Sequence, residues 1–179
     1  MNKSVITSVS PRECELIASG RQTMLVRKTR PKIETPFTVY VYMTKHKWIF
    51  KLLPFLKNRF AKVIGSFVCD RVRLCIPFGL KGHLLSQEVY REMCLTKEQL
   101  DKYGGLKTLY GWHITEPKLF DKPRELGEFR KPCNHINDCC TCKEAEFQYD
   151  GDELRGLICK REIPLTRSPQ SWCYVEEEK

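Results

Sequence analysis

A helix start is written into Ser10-Pro11-Arg12-Glu13: a serine at the N-cap, a proline at the first helical position, and a glutamate placed to reach back to the cap. Leu16, Ile17 and Ala18 follow as an apolar run, and Gly20 stops it, so the spacing predicts a short helix over Pro11–Ser19. On both sides the chain is β-prone. Ser4–Ser8 is a short β-branched segment, Thr23–Arg27 reads as a strand, and Phe37–Thr44 alternates aromatic and β-branched residues. A strand-helix-strand-strand order within the first 45 residues points to an α+β fold, with the basic turn Lys28-Thr29-Arg30-Pro31-Lys32 between the second and third strands.

Residues 45–61 interleave Lys45, His46, Lys47, Lys51, Lys57 and Arg59 with large apolar side chains such as Trp48, Phe50, Phe55 and Phe60. This basic-aromatic insertion is expected to be helical in part and interrupted at Pro54; it reads either as a helix packing its aromatic side on the core or as a partner- or membrane-surface element. Lys62–Ile76 reads as one long strand, bulged at Gly65. Helices are predicted near Ser86–Cys94 and from a second capping box, Thr96-Lys97-Glu98-Gln99, to Gly104-Gly105. Residues 109–120 return to strand character with a break at Pro117, Phe129–Lys160 forms a cysteine-rich loop region, and Ser171–Val175 closes the chain as a strand. Neither an internal repeat nor a low-complexity linker is present, so residues 1–179 read as one domain with an excursion at 130–160.

Composition excludes two classes. With 41% hydrophobic and 30% charged residues the chain is neither disordered nor membrane-spanning, and its nearest approach to a span, Trp48–Leu56, is cut by Lys51 and Pro54. Met1–Thr7 lacks the apolar core of a secretory signal, which makes a cytoplasmic location the expectation. The net charge of +9 is one-sided: 16 Lys/Arg face 4 Asp/Glu in residues 1–83, against 15 and 18 in residues 84–179. Such a field attracts a polyanion through counterion release, so nucleic acid is the first partner to consider; the alternative is a solvated basic surface.

The ten cysteines divide in two. Cys14, Cys69, Cys75, Cys94 and Cys173 are scattered among apolar neighbours and read as small core residues. Cys133, Cys139, Cys140, Cys142 and Cys159 crowd one segment together with His135. Thiolates and imidazole suit a tetrahedral zinc, and Cys133, Cys139, Cys142 and Cys159 form a candidate set with His135 and Cys140 as alternates. One structural zinc, disulfides and free thiols all remain open, because the Cys140-Thr141-Cys142 spacing is not that of a standard finger.

Taken in order, several segments resemble the ASCH family, small domains of the PUA-like β-barrel superfamily, and in particular its short phage- and prophage-associated members. The resemblance rests on Leu16-Ile17-Ala18-Ser19-Gly20, the following Arg21–Lys28, Val39-Tyr40-Val41-Tyr42 and Val63-Ile64-Gly65-Ser66-Phe67. It continues in Trp112-His113-Ile114, Phe120-Asp121-Lys122-Pro123, Leu126-Gly127-Glu128-Phe129 and Arg167–Val175. It implies a mixed β-barrel with short flanking helices and a cleft used for RNA or modified-nucleoside recognition. One branch of the superfamily hydrolyses the acetyl amide of 4-acetylcytidine with a lysine and a threonine just after the helix-ending glycine. Those positions fall here on Gln22 and Leu25, which offer neither a base nor a nucleophile, so the resemblance does not carry that activity across.

Five cations, Arg21, Arg27, Lys28, Arg30 and Lys32, lie within twelve positions after the first helix. Arg21, Arg27, Lys28 and Arg30 are candidates for phosphate contacts, with Thr23 beside them and Arg27 matching the family's recurring arginine; a solvated turn with Arg27 in a buried ion pair is the alternative. Gln170 and Ser171 are candidates for reading a base edge. Trp172 is a candidate for stacking on a base, against the alternative that Trp172 and Tyr174 share a core-facing side. His113 is the one candidate for catalysis, set against a satisfied core or cleft histidine. The preferred reading is nucleic-acid binding without established catalysis. A hydrolase, either a ribonuclease or an amidohydrolase on a modified nucleoside, and a prophage-encoded interaction module using residues 45–61 are the alternatives, and the oligomeric state is open.

Overall fold

The computed structural model describes residues 4–45, 58–76, 85–132, 145–151, 153–159 and 162–177. Strand β1 (Ser4–Val9) runs into helix α1 (Pro11–Ala18), whose capping box is closed from both ends. Ser10 Oγ accepts from Glu13 N at 3.3 Å, and Glu13 Oε2 accepts from Ser10 N at 3.1 Å. Gly20, at φ +70°, turns the chain into β2 (Met24–Arg27), and β3 (Phe37–Met43), β4 (Val63–Cys69) and β5 (Val72–Ile76) follow. Two short helices, α2 (Gln87–Met93) and α3 (Lys97–Gly104), precede β6 (Leu109–His113) and β7 (Thr115–Arg124). A 3-10 turn at Leu126–Glu128 leads into β8 (Phe129–Pro132), β9 (Ala145–Asp150), β10 (Glu153–Cys159), β11 (Glu162–Pro164) and β12 (Trp172–Glu177). Among the described residues no helix is long and apolar enough to cross a membrane.

Seven strands form one mixed sheet in the order β11-β8-β12-β1-β3-β4-β7, three form a second in the order β2-β6-β5, and β9 and β10 pair as a hairpin. The β1–β3 pair is parallel, so α1 belongs to a crossover between neighbouring strands. Period-two alternation sorts the side chains. From β3, Val39, Val41 and Met43 face one core while Tyr40 and Tyr42 face another. The first core lies between the two sheets, where Val5, Val39, Val41, Ile64 and Phe67 meet Leu25 and Trp112 from the smaller sheet. The second joins Ile6, Tyr40, Val63, Phe129 and Val175 on the other face of the large sheet. The third packs Met24 and Val26 of β2 with Met93, Leu100 and Leu109, so that α2 and α3 cover the smaller sheet.

This is an α+β fold. Its two sheets are joined at a corner that the alternation pattern does not announce. The expected continuous strand over Lys62–Ile76 is instead β4 and β5, broken at Asp70-Arg71, with each half in a different sheet. The returning chain does the same at Ile114, between β6 and β7, rather than breaking at Pro117. Pro117 stays inside β7, next to a ladder irregularity where Glu116 takes φ +50°. Both crossings are held together: Asp70 Oδ1 lies 2.6 Å from His113 Nδ1, and Arg71 O accepts from His113 N at 3.0 Å. The expected bulge at Gly65 is present, since the β3–β4 register steps from Val41↔Gly65 to Tyr42↔Val63 and skips Ile64.

The expectation of a loop over 129–160 is also corrected, because β8 adds to the large sheet and β9 pairs with β10 antiparallel. Cys133, His135, Cys139, Cys140 and Cys142 fall outside the described residues, as do positions 46–57 of the insertion. Of Cys159 only the backbone is described, at the end of β10 and in register with Ala145. Cys14 and Cys69 are core residues as expected, Cys75 and Cys173 are half-buried, and Cys94 is a helix-terminal residue in a left-handed conformation rather than a core thiol.

Candidate nucleic-acid interface

Where the larger sheet ends against the helices, a cavity of about 410 Å³ opens between α1, α3, the end of α2, β2 and the 170–171 turn. Arg27 forms its polar floor. As the last residue of β2 it shares the parity of Leu25 and faces inward between the sheets, where it is only 6% exposed. Its Nε and Nη2 donate to Thr7 Oγ1 at 3.0 and 2.9 Å, Nη2 also donates to Ser8 O at 2.9 Å, and Nη1 donates to Val26 O at 2.8 Å. The Tyr103 hydroxyl lies against the same guanidinium. Burial pushes Arg27 below its ordinary pKa, with Glu13 and Tyr103 opposing that shift; a guanidinium keeps its proton at neutral pH all the same. Because protein acceptors engage its N–H groups, Arg27 presents the cavity with a charge rather than an open fork.

The same hydrogen bonds place the 169–171 turn. Thr7 Oγ1 donates its own proton to Ser171 O at 3.0 Å, Ser8 N donates to Ser171 O at 2.9 Å, and Ser8 Oγ donates to Pro169 O at 2.6 Å. Gln170 and Ser171 are thereby fixed on the cavity wall beside Arg27, although they lie more than 140 positions away in sequence. Opposite them stands Gln22, 2% exposed, held by its backbone N–H to Leu16 O at 3.0 Å. Its Nε2 donates to Met24 O at 3.0 Å, which fixes the amide's orientation, and its Oε1 accepts from no donor among the described residues. Leu16, Val26, Met93 and Leu95 supply the apolar part of the wall.

Two contributors come from α3. Gln99 and Tyr103 are four residues apart on one helical face, and both line the cavity. Gln99 is also the third helical residue of the second capping box, its Oε1 accepting from Thr96 N at 2.9 Å. The box is visible in the sequence, and the spacing to Tyr103 could have marked this face. Nothing local tells that α3 lies across from α1. Cys94, expected in the core, lines the cavity because it ends α2 where the chain turns towards α3.

The remaining sequence candidates scatter. Arg21 is exposed and pairs with Glu15 Oε1 at 3.2 Å and Ser19 Oγ at 3.1 Å, outside the cavity. Thr23 donates its backbone N–H to Glu92 O and accepts from Ile114 N, away from Gln22's side of the chain. Lys28 sits 4.8 Å above the Tyr103 ring at the cavity's edge, and Arg30 lies farther out, 6.0 Å from the Tyr110 ring centre. Trp172 packs edge-on between Trp112 at 5.6 Å and Tyr174 at 5.3 Å, and its Nε1 donates to Thr29 Oγ1 at 2.9 Å. That is the core-facing alternative for the Trp172–Tyr174 side. His113 belongs to the corner between the sheets, bound to Asp70, and does not line the cavity. No group of metal-binding side chains occurs among the described residues.

The arrangement offers a buried positive charge, a fixed amide acceptor, neighbouring amide and hydroxyl groups, and apolar walls. That combination suits a small, flat, polar ring system more than a simple anion, for which a free guanidinium fork would be wanted. The fold agrees with solved structures of ASCH from Zymomonas mobilis. One is 18% identical, with a TM-score of 0.53 over 70% of this chain and 76% of that one. A serine-to-alanine mutant of that protein is 17% identical, with a TM-score of 0.52 over 89% of each chain. A tyrosine-to-phenylalanine mutant matches at 18% identity and a TM-score of 0.51, over 69% of this chain and 76% of that one. No family model matches the sequence, and no curated protein matches it either.

Proposed function

From an ASCH-type fold with this cavity, we propose that the protein binds single-stranded RNA, one nucleoside entering the cavity between α1 and α3. The observation that carries the reading is a cavity of about 410 Å³ in which Arg27, Gln99, Tyr103 and Gln170 meet, with Gln22 in its lining and the Gln22 Oε1 buried just behind the wall without a donor among the described residues. A buried unsatisfied acceptor costs roughly 1–3 kcal/mol, which a ligand N–H recovers on binding. Nucleobases carry such donors on a flat ring that the walls at Leu16 and Val26 can hold. Arg27, buried with its charge intact, favours a ligand that brings a phosphate to the mouth. The surplus of cations in residues 1–83 supports the same partner. Catalysis is not part of the proposal, because Gln22 and Leu25 stand where the acetylcytidine hydrolases have their lysine and threonine.

The test is titration of a fluorescent single-stranded RNA pool by anisotropy at about 50 and about 200 mM salt, followed by electrophoresis of the recovered RNA. Salt-sensitive binding with intact RNA is expected. Absence of binding at the lower salt overturns the proposal, and shortened RNA replaces it with the hydrolase reading. For the cysteine segment we propose one structural zinc, supported by the register that sets Cys159 opposite Ala145, three residues after Cys142. Elemental analysis of the reduced protein is expected to find about one zinc per chain, the content of a single tetrahedral site. A metal-free result removes it.

A further inference from the structure

The cavity accounts for one nucleoside; the surface beyond it carries a second, separate depression. Arg30, Pro31, Ile33, Glu34, Thr35 and Val72 line an open groove of about 390 Å³. Between cavity and groove the surface repeats one device, a cation laid over a tyrosine. Tyr103 belongs to the cavity wall and carries Lys28 at 4.8 Å; Tyr110 lies in register with Arg27 and carries Arg30, itself a groove residue, at 6.0 Å. Tyr110 is also the β6 partner of Leu74 on β5, and Val72 of that strand forms the groove's far side. The smaller sheet therefore sets both ends of the path. Arg27 to Arg30 spans three residues, on the order of 10 Å of extended chain at about 3.3 Å per residue. Arg30 is exposed and only loosely held at that distance from its ring, so recruiting it to a phosphate costs little ordering.

We propose that this groove is a second subsite of the RNA strand: the nucleotide next to the one in the cavity crosses Lys28 and Arg30 by its phosphates and lays its base or ribose in the groove. The inference rests on the RNA-binding reading and goes beyond it by making the ligand a strand rather than a free nucleoside. Glu34 decides what the groove takes. A carboxylate repels a phosphate but accepts from an exocyclic amine or a ribose 2′-hydroxyl, so the phosphate stays on the cations and the base or sugar faces Glu34. Guanidinium planes also serve as stacking surfaces for single-stranded bases, which suits Arg30 at the entrance.

The experiment compares a labelled 5′-phosphorylated ribonucleotide monomer pool with a labelled 5′-phosphorylated RNA dinucleotide pool, on the full chain and on Lys28→Ala/Arg30→Ala, with thermal unfolding as the folding control. On the unaltered protein the dinucleotide, which fills cavity and groove together, is expected to bind at least tenfold tighter than the monomer, which fills the cavity alone. The double variant should reduce that ratio to under threefold and flatten the slope of log dinucleotide affinity against log salt by about 1.4, at roughly 0.7 for each single-strand phosphate no longer neutralised. Equal affinity for monomer and dinucleotide on the unaltered protein, or an unchanged ratio and slope in a folded double variant, overturns the second subsite and leaves the cavity reading standing. If neither ligand binds the unaltered protein at about 50 mM salt, both proposals fall together. Glu34→Gln adds an independent readout: the preference for the RNA dinucleotide over the same DNA dinucleotide is expected to shrink, and an unchanged preference together with an unchanged base preference removes Glu34 from the path.

Discussion

Two buried polar side chains, one at the end of β2 and one just before its start, differ at the scale of single residues in how far the protein itself satisfies them. Arg27 binds Thr7, Ser8 and Val26 and so holds β1 to the smaller sheet, whereas Gln22 leaves an acceptor unmet among the described residues. Arg27→Met strips donors from buried oxygens and is expected to lower unfolding free energy by about 2–4 kcal/mol, measured by urea denaturation. Gln22→Leu removes an amide already half unsatisfied, so stability should change by less than about 1 kcal/mol. Its RNA affinity should fall about tenfold, the equivalent of roughly 1.4 kcal/mol. A Gln22→Leu protein with full RNA affinity would count against the cavity as the recognition site. The sequence marks Arg27 as a phosphate ligand, because charge is legible there and the neighbours that engage it are not. Buried thiols supply a pH dependence at the same scale. Burial raises Cys69 from 9.0 to about 12 and Cys173 from 9.0 to about 11. Above about pH 9 the unfolded chain releases these protons while the folded chain keeps them, so stability is complete below that pH and declines as pH rises towards 11–12. Denaturation midpoints measured from about pH 7 to about pH 11 should show that decline, and Cys69→Ala should make it shallower.

The elements divide by how local their causes are. Helix α1 forms from its own signals: Ser10 and Glu13 cap each other, and Gly20 ends the segment wherever the rest of the chain goes. Helix α3 is equally local, with Thr96 and Gln99 exchanging the same pair of bonds. Strand ends are different. Asp70-Arg71 carries no glycine or proline, so the alternation of Val63–Ile76 continues through a point where the chain changes sheets. Pro117 misleads in the opposite direction, a breaker tolerated on an edge strand, where a missing N–H leaves no partner stranded. Gly65 is legible as a bulge, and it lacks a side chain for a physical reason: a Cβ there would run into the Lys118 carbonyl of β7. Gly65→Ala is therefore expected to push β7 from β4 and cost about 1–3 kcal/mol, as overpacking does. Thermal unfolding checks it, and a melting temperature equal to that of the unaltered protein would show that β7 gives way freely.

For the molecule as a whole, the decisive feature is the corner where β4 passes into β5 and β6 into β7, joining the two sheets around one core. His113, the sequence's candidate for catalysis, and Asp70 latch it. The pair is partly exposed, its side chains retaining 22% and 42% of their accessible surface, and partly exposed ion pairs contribute little. His113→Ala is expected to cost no more than about 1 kcal/mol by denaturation and to leave RNA affinity within twofold. A tenfold loss of RNA affinity in a folded His113→Ala protein would place the corner in the binding path after all. What the amino-acid order determined alone was the set of short-range decisions: which segments cap, turn and alternate, where the positive charge lies, and which cysteines stand apart from the crowded segment. Those depend on residues within a few positions of one another. Only the tertiary structure decided that Gln22, Arg27, Tyr103 and Gln170 share a cavity while Arg21, Thr23 and His113 do not. Their meeting depends on β1 standing between β12 and β3 and on the hydrogen bonds from Thr7 and Ser8 to a turn at the other end of the chain. Closing the chain over so many residues depends on packing the whole core, and no local pattern encodes it.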